Sequence, residues 1–461
     1  MKSSKLIVLS FVGVGVLSIG VLTLRSVLKS RTTSVVSPAE TTTPSKVDQR
    51  ILRARQEIDK RPNSSDGYNQ LAAAYMQKAR ETASFAFNAS ADDALTRSLA
   101  VEPDNYDALK LRSKLQLTFH RFAEALETAR RSQNVRVDDH DVWGQITDAL
   151  VELGDYTAAV KAAQKMVDLR PDSSAYARVS YLRELHGDTN GAIQAISAAV
   201  KAANPNDPEG VAWCRVQLGN QLMNLGNLEA AERQFDQALL TFADHHLALQ
   251  GKARARTAAG DIQGAARIYE QQQSKTPSAD VALALGDLYT LLGREAEAKT
   301  EYQQFESLER QNAIVERSYR HMFNYWLDND LNLGEALIKA TSEYESRKDI
   351  FTCDSLAWAL FKNGRVEDAK NLIDQALRTG TKDARINYHA GTIYKTLNIR
   401  DKAAQHLQLG AALNSSFDPV QAETAKKMLA ELASTTSLRG PFSQSRVVRA
   451  SRNQAGRRRD T

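Results

Sequence analysis

Little in the sequence can build a covalent framework or a cofactor cage. Cys214 and Cys353 are the only cysteines, neither has a C-x-x-C partner, and both fall in stretches that read as buried helix. If the intervening helices stack at roughly 8–10 Å, the pair stands about 40 Å apart, well past the ~7 Å Cα limit for a disulfide. No H-E-x-x-H, G-x-S-x-G, P-loop or strand-linked G-x-G-x-x-G is present, and the eight histidines are scattered. No catalytic centre and no cofactor is expected. Alternating β-branched runs are also missing, which excludes a sheet as the main architecture.

Charge of one sign is scarce overall, since the formal net charge is only +5. It is unevenly placed. Met1 to Arg31 holds five basic residues and no acid, Ser434 to Thr461 holds seven arginines against Asp460, and the body between them is mildly acidic. Nucleic-acid affinity comes largely from clustered Lys and Arg, so the body is not expected to bind nucleic acid. Its 42% hydrophobic and 25% charged residues are those of a chain that folds.

Leu6 to Leu24 is 19 residues without a charge. As a helix it spans about 28 Å, close to the roughly 30 Å hydrocarbon core of a bilayer. It is read as an uncleaved single-pass membrane anchor, the alternative being a signal peptide cut near Ser18-Ile19-Gly20 and a secreted product. Lys2 and Lys5 on one side balance Arg25, Lys29 and Arg31 on the other, so the side of the membrane stays open. Thr32 to Lys46, rich in Ser, Thr and Pro, reads as a flexible linker.

From Val47 to Ala433 helix follows helix at a regular period. Gly154, Gly187, Gly226, Gly260 and Gly293 recur at 33 to 39 residues, and Gly364 with Asn398 continues the phase. Each follows an apolar helix and precedes a polar residue, as in Glu152-Leu153-Gly154-Asp155-Tyr156, which suits a helix C′ position with positive φ. In the unit His140 to Pro171, Trp143, Ile146, Thr147 and Leu150 precede Gly154, followed by Ala159, Ala163, Met166 and Pro171. Leu218-Gly219 with Leu222, Gly226, Ala231, Phe235 and Ala238 repeats it, as does Leu285-Gly286 with Tyr289, Gly293, Ala298 and Tyr302.

This series resembles the tetratricopeptide repeat family. The resemblance implies an all-α, right-handed solenoid of about ten helix-turn-helix repeats, which here follows the one transmembrane or signal helix read from Leu6 to Leu24. Val47 to Lys60 reads as a leading half-repeat and Asp418-Pro419 opens a capping helix through Ala433. The unit Asn312 to Lys348 departs most from the pattern, with Leu331 where a turn glycine is expected. Ser434 to Thr461 reads as a disordered tail.

Asp138-Asp139-His140-Asp141 and Asp244-His245-His246 have the residue types of metal ligands. They share a repeat phase with Asp104, Asp172 and Ser278, just before a first helix, where side-chain oxygens cap free N–H groups; capping is the reading adopted. The resemblance further implies that residues one past the packing positions of the first helices line a concave groove. These are Lys110, Lys114, Asp148, Tyr181, Asn220, Met223, Arg254, Asp287, Trp358, Phe361 and Tyr388, with Trp358 and Phe361 the expected exposed aromatic anchors. The function expected is therefore a membrane-tethered scaffold holding a protein or peptide in that groove. The alternative is an electrostatic adaptor whose Arg-rich tail binds anionic lipid or RNA.

Overall fold

The computed structural model describes residues 45–82, 84, 86–316, 319–413 and 419–437. Among them are twenty-two helices and no strand. Helix α1 (Lys46–Lys60) precedes ten hairpins. These are α2 (Ser65–Thr82) with α3 (Ala86–Val101), α4 (Tyr106–Thr118) with α5 (Phe122–Val135), α6 (His140–Glu152) with α7 (Tyr156–Leu169), α8 (Ser173–Leu185) with α9 (Thr189–Ala202), and α10 (Pro208–Asn224) with α11 (Leu228–Thr241). The series continues with α12 (His246–Ala258) and α13 (Ile262–Lys275), α14 (Ala279–Leu291) and α15 (Glu295–Glu316), α16 (Arg320–Asp328) and α17 (Leu333–Ser346), α18 (Ile350–Lys362) and α19 (Val366–Ala376), and α20 (Ala384–Thr396) and α21 (Arg400–Leu413). Helix α22 (Pro419–Ser437) closes the stack and runs four residues past the expected Ala433. The apolar run at Leu6 to Leu24, most of the linker and residues 438–461 lie outside the described residues. Within the described residues no helix is long and apolar enough to cross a membrane.

Local chemistry sets each hairpin. Gly154, Gly187, Gly226, Gly260, Gly293 and Gly364 all have positive φ, between +72° and +88°. At Gly154 the following Asp155 N–H donates back to the Leu150 carbonyl (2.9 Å), a Schellman closure that satisfies a free helix-end carbonyl. The Asp155 side chain then accepts from the Ala158 N–H and starts the second helix. Where glycine is absent, His120, Asp330 and Asn398 take the left-handed conformation. In the irregular unit it is thus Asp330 that makes the turn; Leu331, expected there, follows it with its N–H on the Trp326 carbonyl (2.8 Å).

First helices of successive hairpins pack against one another as well as against their own partners, as α4 does on α6 and α10 on α12. No two successive second helices pack comparably among the described residues. The stack therefore curves with its first helices on the inside. The curvature is tight enough that the chain meets itself. The Lys348 N–H donates to the Glu152 carbonyl (2.9 Å) and the Ile350 N–H to the Tyr156 hydroxyl oxygen (2.9 Å), joining residues nearly 200 apart. Arg347 is ion-paired to Glu152 across this seam and stands 4.9 Å over the Phe122 ring, while Arg378 stands 4.9 Å over the Tyr156 ring. Two of the turn glycines are used a second time here. A Cβ on Gly154 would lie 2.5 Å from the Lys348 carbonyl oxygen, and one on Gly187 would strike the Gly380 carbonyl oxygen. The largest core accordingly runs without interruption from Val142 and Leu185 to Ile350 and Ile393.

Candidate peptide-binding groove

The inner wall is formed by α4, α6, α8, α10, α12, α14, α18 and α20, and the residues named from sequence fall on it with different fates. Lys114 is exposed and no hydrogen bond or ion pair ties it down within the described residues. Burial by the surrounding walls, with the nearby charges of Arg80 and Arg178, lowers its pKa. Tyr181 is 40% exposed. Burial of its hydroxyl end, then the charges of Glu152, Asp349 and Glu184, push that hydroxyl well above its ordinary pKa. Asp287 is exposed and accepts from the Tyr302 hydroxyl (2.9 Å).

Others are spent on holding neighbouring repeats together. Lys110 reaches Asp139 (2.7 Å) and Asp141 (2.8 Å). Asp148 takes a two-pronged contact from Arg178 (2.8 and 2.6 Å). Asn220 accepts from Arg254 (2.8 Å), leaving the rest of that exposed guanidinium on the inner face. Met223 packs into the apolar cluster around Phe235.

The aromatic anchors differ from expectation. Trp358 is 5% and Tyr388 6% exposed, so both are core. The reason is the neighbouring repeat: His389 stacks on Trp358 with ring centroids 4.1 Å apart and Tyr388 lies 6.1 Å away, while Phe361 of the same helix stacks at 5.1 Å. Phe361 keeps part of its surface. His389 itself is held by the buried Asp354 (2.9 Å). Sequence reasoning missed this pair and the seam residues Arg347 and Lys348, because nothing in the repeat pattern marks a polar residue that is satisfied only by a distant or adjacent repeat.

The Asp139, His140 and Asp141 ligand atoms lie within 4.8 Å of one another. Their oxygens are already engaged. Asp139 accepts the Asp141 N–H (2.8 Å) and the Tyr106 hydroxyl, Lys110 bridges both carboxylates, and His140 Nε2 meets Asp172 (3.0 Å). Burial would raise the Asp139 pKa, but Lys110 and Tyr106 outweigh it and hold it at about 2. In the second group the cap is His245, whose ring nitrogen accepts from the Ala248 N–H, while Asp244 adopts positive φ and pairs with Lys275. Asp104 likewise leaves the cap to Asn105 and pairs with Arg131.

Tetratricopeptide-repeat family models match residues 147–208, 216–278, 279–312 and 355–416. These are tetratricopeptide repeats. Solved structures similar to this chain include the Cut9–Hcn1 hetero-tetramer of the APC/C, at 13% identity and a TM-score of 0.36, covering 84% of this chain and 96% of that one. A human IFIT1 dimer with m7Gppp-AAAA is similar at 12% identity and 0.46, covering 72% and 76%. A tetratricopeptide repeat protein from Parabacteroides merdae is similar at 19% identity and 0.34, covering 57% and 98%. At such identities the likeness concerns the fold alone. No curated protein sequence matches the chain. Tetratricopeptide repeats are a protein–protein interaction scaffold, and that is the class in which the chain stands.

Proposed function

We propose that this tetratricopeptide-repeat chain is a membrane-tethered scaffold that holds a protein or peptide partner against the inner wall of its solenoid. One observation carries the reading. Lys114 and Tyr181 project from the inner face, exposed and free of the inter-repeat ties that occupy Lys110 and Asp148. Side chains left exposed and untied at a concave wall are available for a ligand. The tether is supported by the charge-free run Leu6 to Leu24, long enough to span a bilayer. The second reading, anionic lipid or RNA bound by the tail, rests on its seven arginines.

The test is affinity purification of the full-length chain, quantifying what co-purifies with the native protein and with a Lys114→Glu, Tyr181→Ala double variant. Depletion of one partner by about tenfold, which corresponds to ~1.4 kcal/mol, is the expected result. Undiminished capture by a folded double variant would remove the groove from the reading.

A further inference from the structure

Tyr181 and Glu184 lie three residues apart on α8, on one face of the helix. The Glu184 carboxylate accepts from Asn224 Nδ2 (3.1 Å) and from Gln221 Nε2, both on α10. No Lys or Arg among the described residues pairs with it. Gln221 is only 5% exposed, and with its amide nitrogen committed to Glu184 its Oε1 has no donor. That unpartnered carbonyl oxygen is part of the same amide group, so it stands beside the carboxylate.

The seam brings a second carboxylate. The Gly187–Gly380 approach sets the end of α8 against the segment leading into α20, where Asp383 caps the Ile386 N–H (2.8 Å) and pairs with no Lys or Arg among the described residues. Burial first raises the Glu184 pKa, the Gln221 and Asn224 amides pull it back, and the charge of Asp383 adds to the rise. Burial likewise raises that of Asp383. Of the cations nearby, Arg183 is engaged with Asp188 (2.7 Å), Arg385 with Asp328 (2.6 Å), and Arg347 with Glu152, Glu343 and Asp349, while Lys382, next to Asp383, is exposed and makes no ion pair among the described residues.

The place therefore offers two carboxylates, an unfilled amide oxygen and the exposed ring of Tyr181, with the amide donors of Gln221 and Asn224 already turned to Glu184. What complements it is a planar group with a positive charge and several N–H donors. We propose that Tyr181, Glu184, Gln221 and Asp383 form a subsite for an arginine side chain of the partner peptide. A guanidinium fits better than an ammonium because it can stack on the tyrosine ring while forking its N–H groups to a carboxylate and a carbonyl. The inference rests on the groove reading above and adds the chemistry of its ligand.

The experiment is fluorescence anisotropy on the full-length chain with a labelled Gly-Ser peptide carrying two arginines, and with the same peptide carrying citrulline, which keeps the shape and loses the charge. The arginine peptide is expected to bind at least tenfold tighter. That preference should fall below twofold in Glu184→Gln with Asp383→Asn, and separately in Tyr181→Leu, while Glu229→Gln on an exposed face leaves it intact. Equal affinity of the two peptides for the native chain, or a preference unchanged in folded Tyr181→Leu and in the double variant, would overturn the subsite. Partner capture that survives Glu184→Gln but is lost in Lys114→Glu would remove the subsite and leave the groove.

Discussion

Phe235 is fully buried, and its ring lies between Gly219 on the first helix of its own hairpin and Gly251 on the first helix of the next. A Cβ on Gly219 would stand 2.5 Å from that ring. The ring has no way out, because it is fully buried and Gly251 crowds the same ring atoms as Gly219. Gly219→Ala should therefore cost about 1–3 kcal/mol, the usual range for overpacking. Gly286→Ala meets Tyr302 at a similar distance, but Tyr302 is part-exposed and can swing outward, so its cost should be smaller. Thermal melts of the two variants check this; a larger loss at Gly286 would show that Tyr302 is the more rigid ring. His120 invites a different test. It takes positive φ at a turn, stacks on Phe122, and its Nδ1 is buried without a partner. Burial first, then Arg347, Arg320 and His321, lower its pKa to about 4, with Asp349 pulling the other way. The folded state thus holds the ring neutral while the unfolded chain protonates it near 6.5, so this residue's contribution to stability falls as pH drops from about 6.5 to 4. Asparagine tolerates the same backbone conformation and does not titrate. The melting temperature of His120→Asn, relative to the native chain, should rise steadily over that pH window, and a difference independent of pH would show that the imidazole is not held neutral.

Between elements, the seam is the contact with the most at stake. Arg347 is 7% exposed and answers three carboxylates, Glu152, Glu343 and Asp349. Removing it leaves buried charge uncompensated, which costs about 3–5 kcal/mol. In Arg347→Met, and in Gly154→Ala where the new Cβ would meet the Lys348 carbonyl, the seam should part while distant hairpins stay folded. Hydrogen exchange reads this directly: the Lys348 and Ile350 amides should lose protection, and those of α12 and α13 should keep it. Protection unchanged at Lys348 in both variants would mean that the seam is held by other contacts. None of this was legible in the sequence, since Arg347-Lys348-Asp349 looks like any polar linker. The hairpins were legible because their requirements are local: a left-handed turn residue, an acid or amide cap, a small residue at the crossing. For the groove, repeat phase named Tyr181 and Lys114, and both are exposed, but phase alone does not say that His389 from the next repeat covers Trp358.

For the molecule as a whole, tetratricopeptide arrays are commonly understood as one-dimensional stacks, each unit answering only to its neighbours. Such a stack can gain or lose a unit in the middle and fold as before. The contact of Glu152 and Tyr156 with Lys348 and Ile350 removes that freedom. Five hairpins, α8 through α17, lie between the joined segments, and their summed rotation and rise must bring Gly154 and Gly187 onto two particular carbonyls. One hairpin more or fewer would carry those glycines past their marks, however well the altered unit packed. The length of this array is thereby counted by its own geometry, and a duplication or deletion between residues 173 and 346 that an open spring would absorb becomes a change of shape.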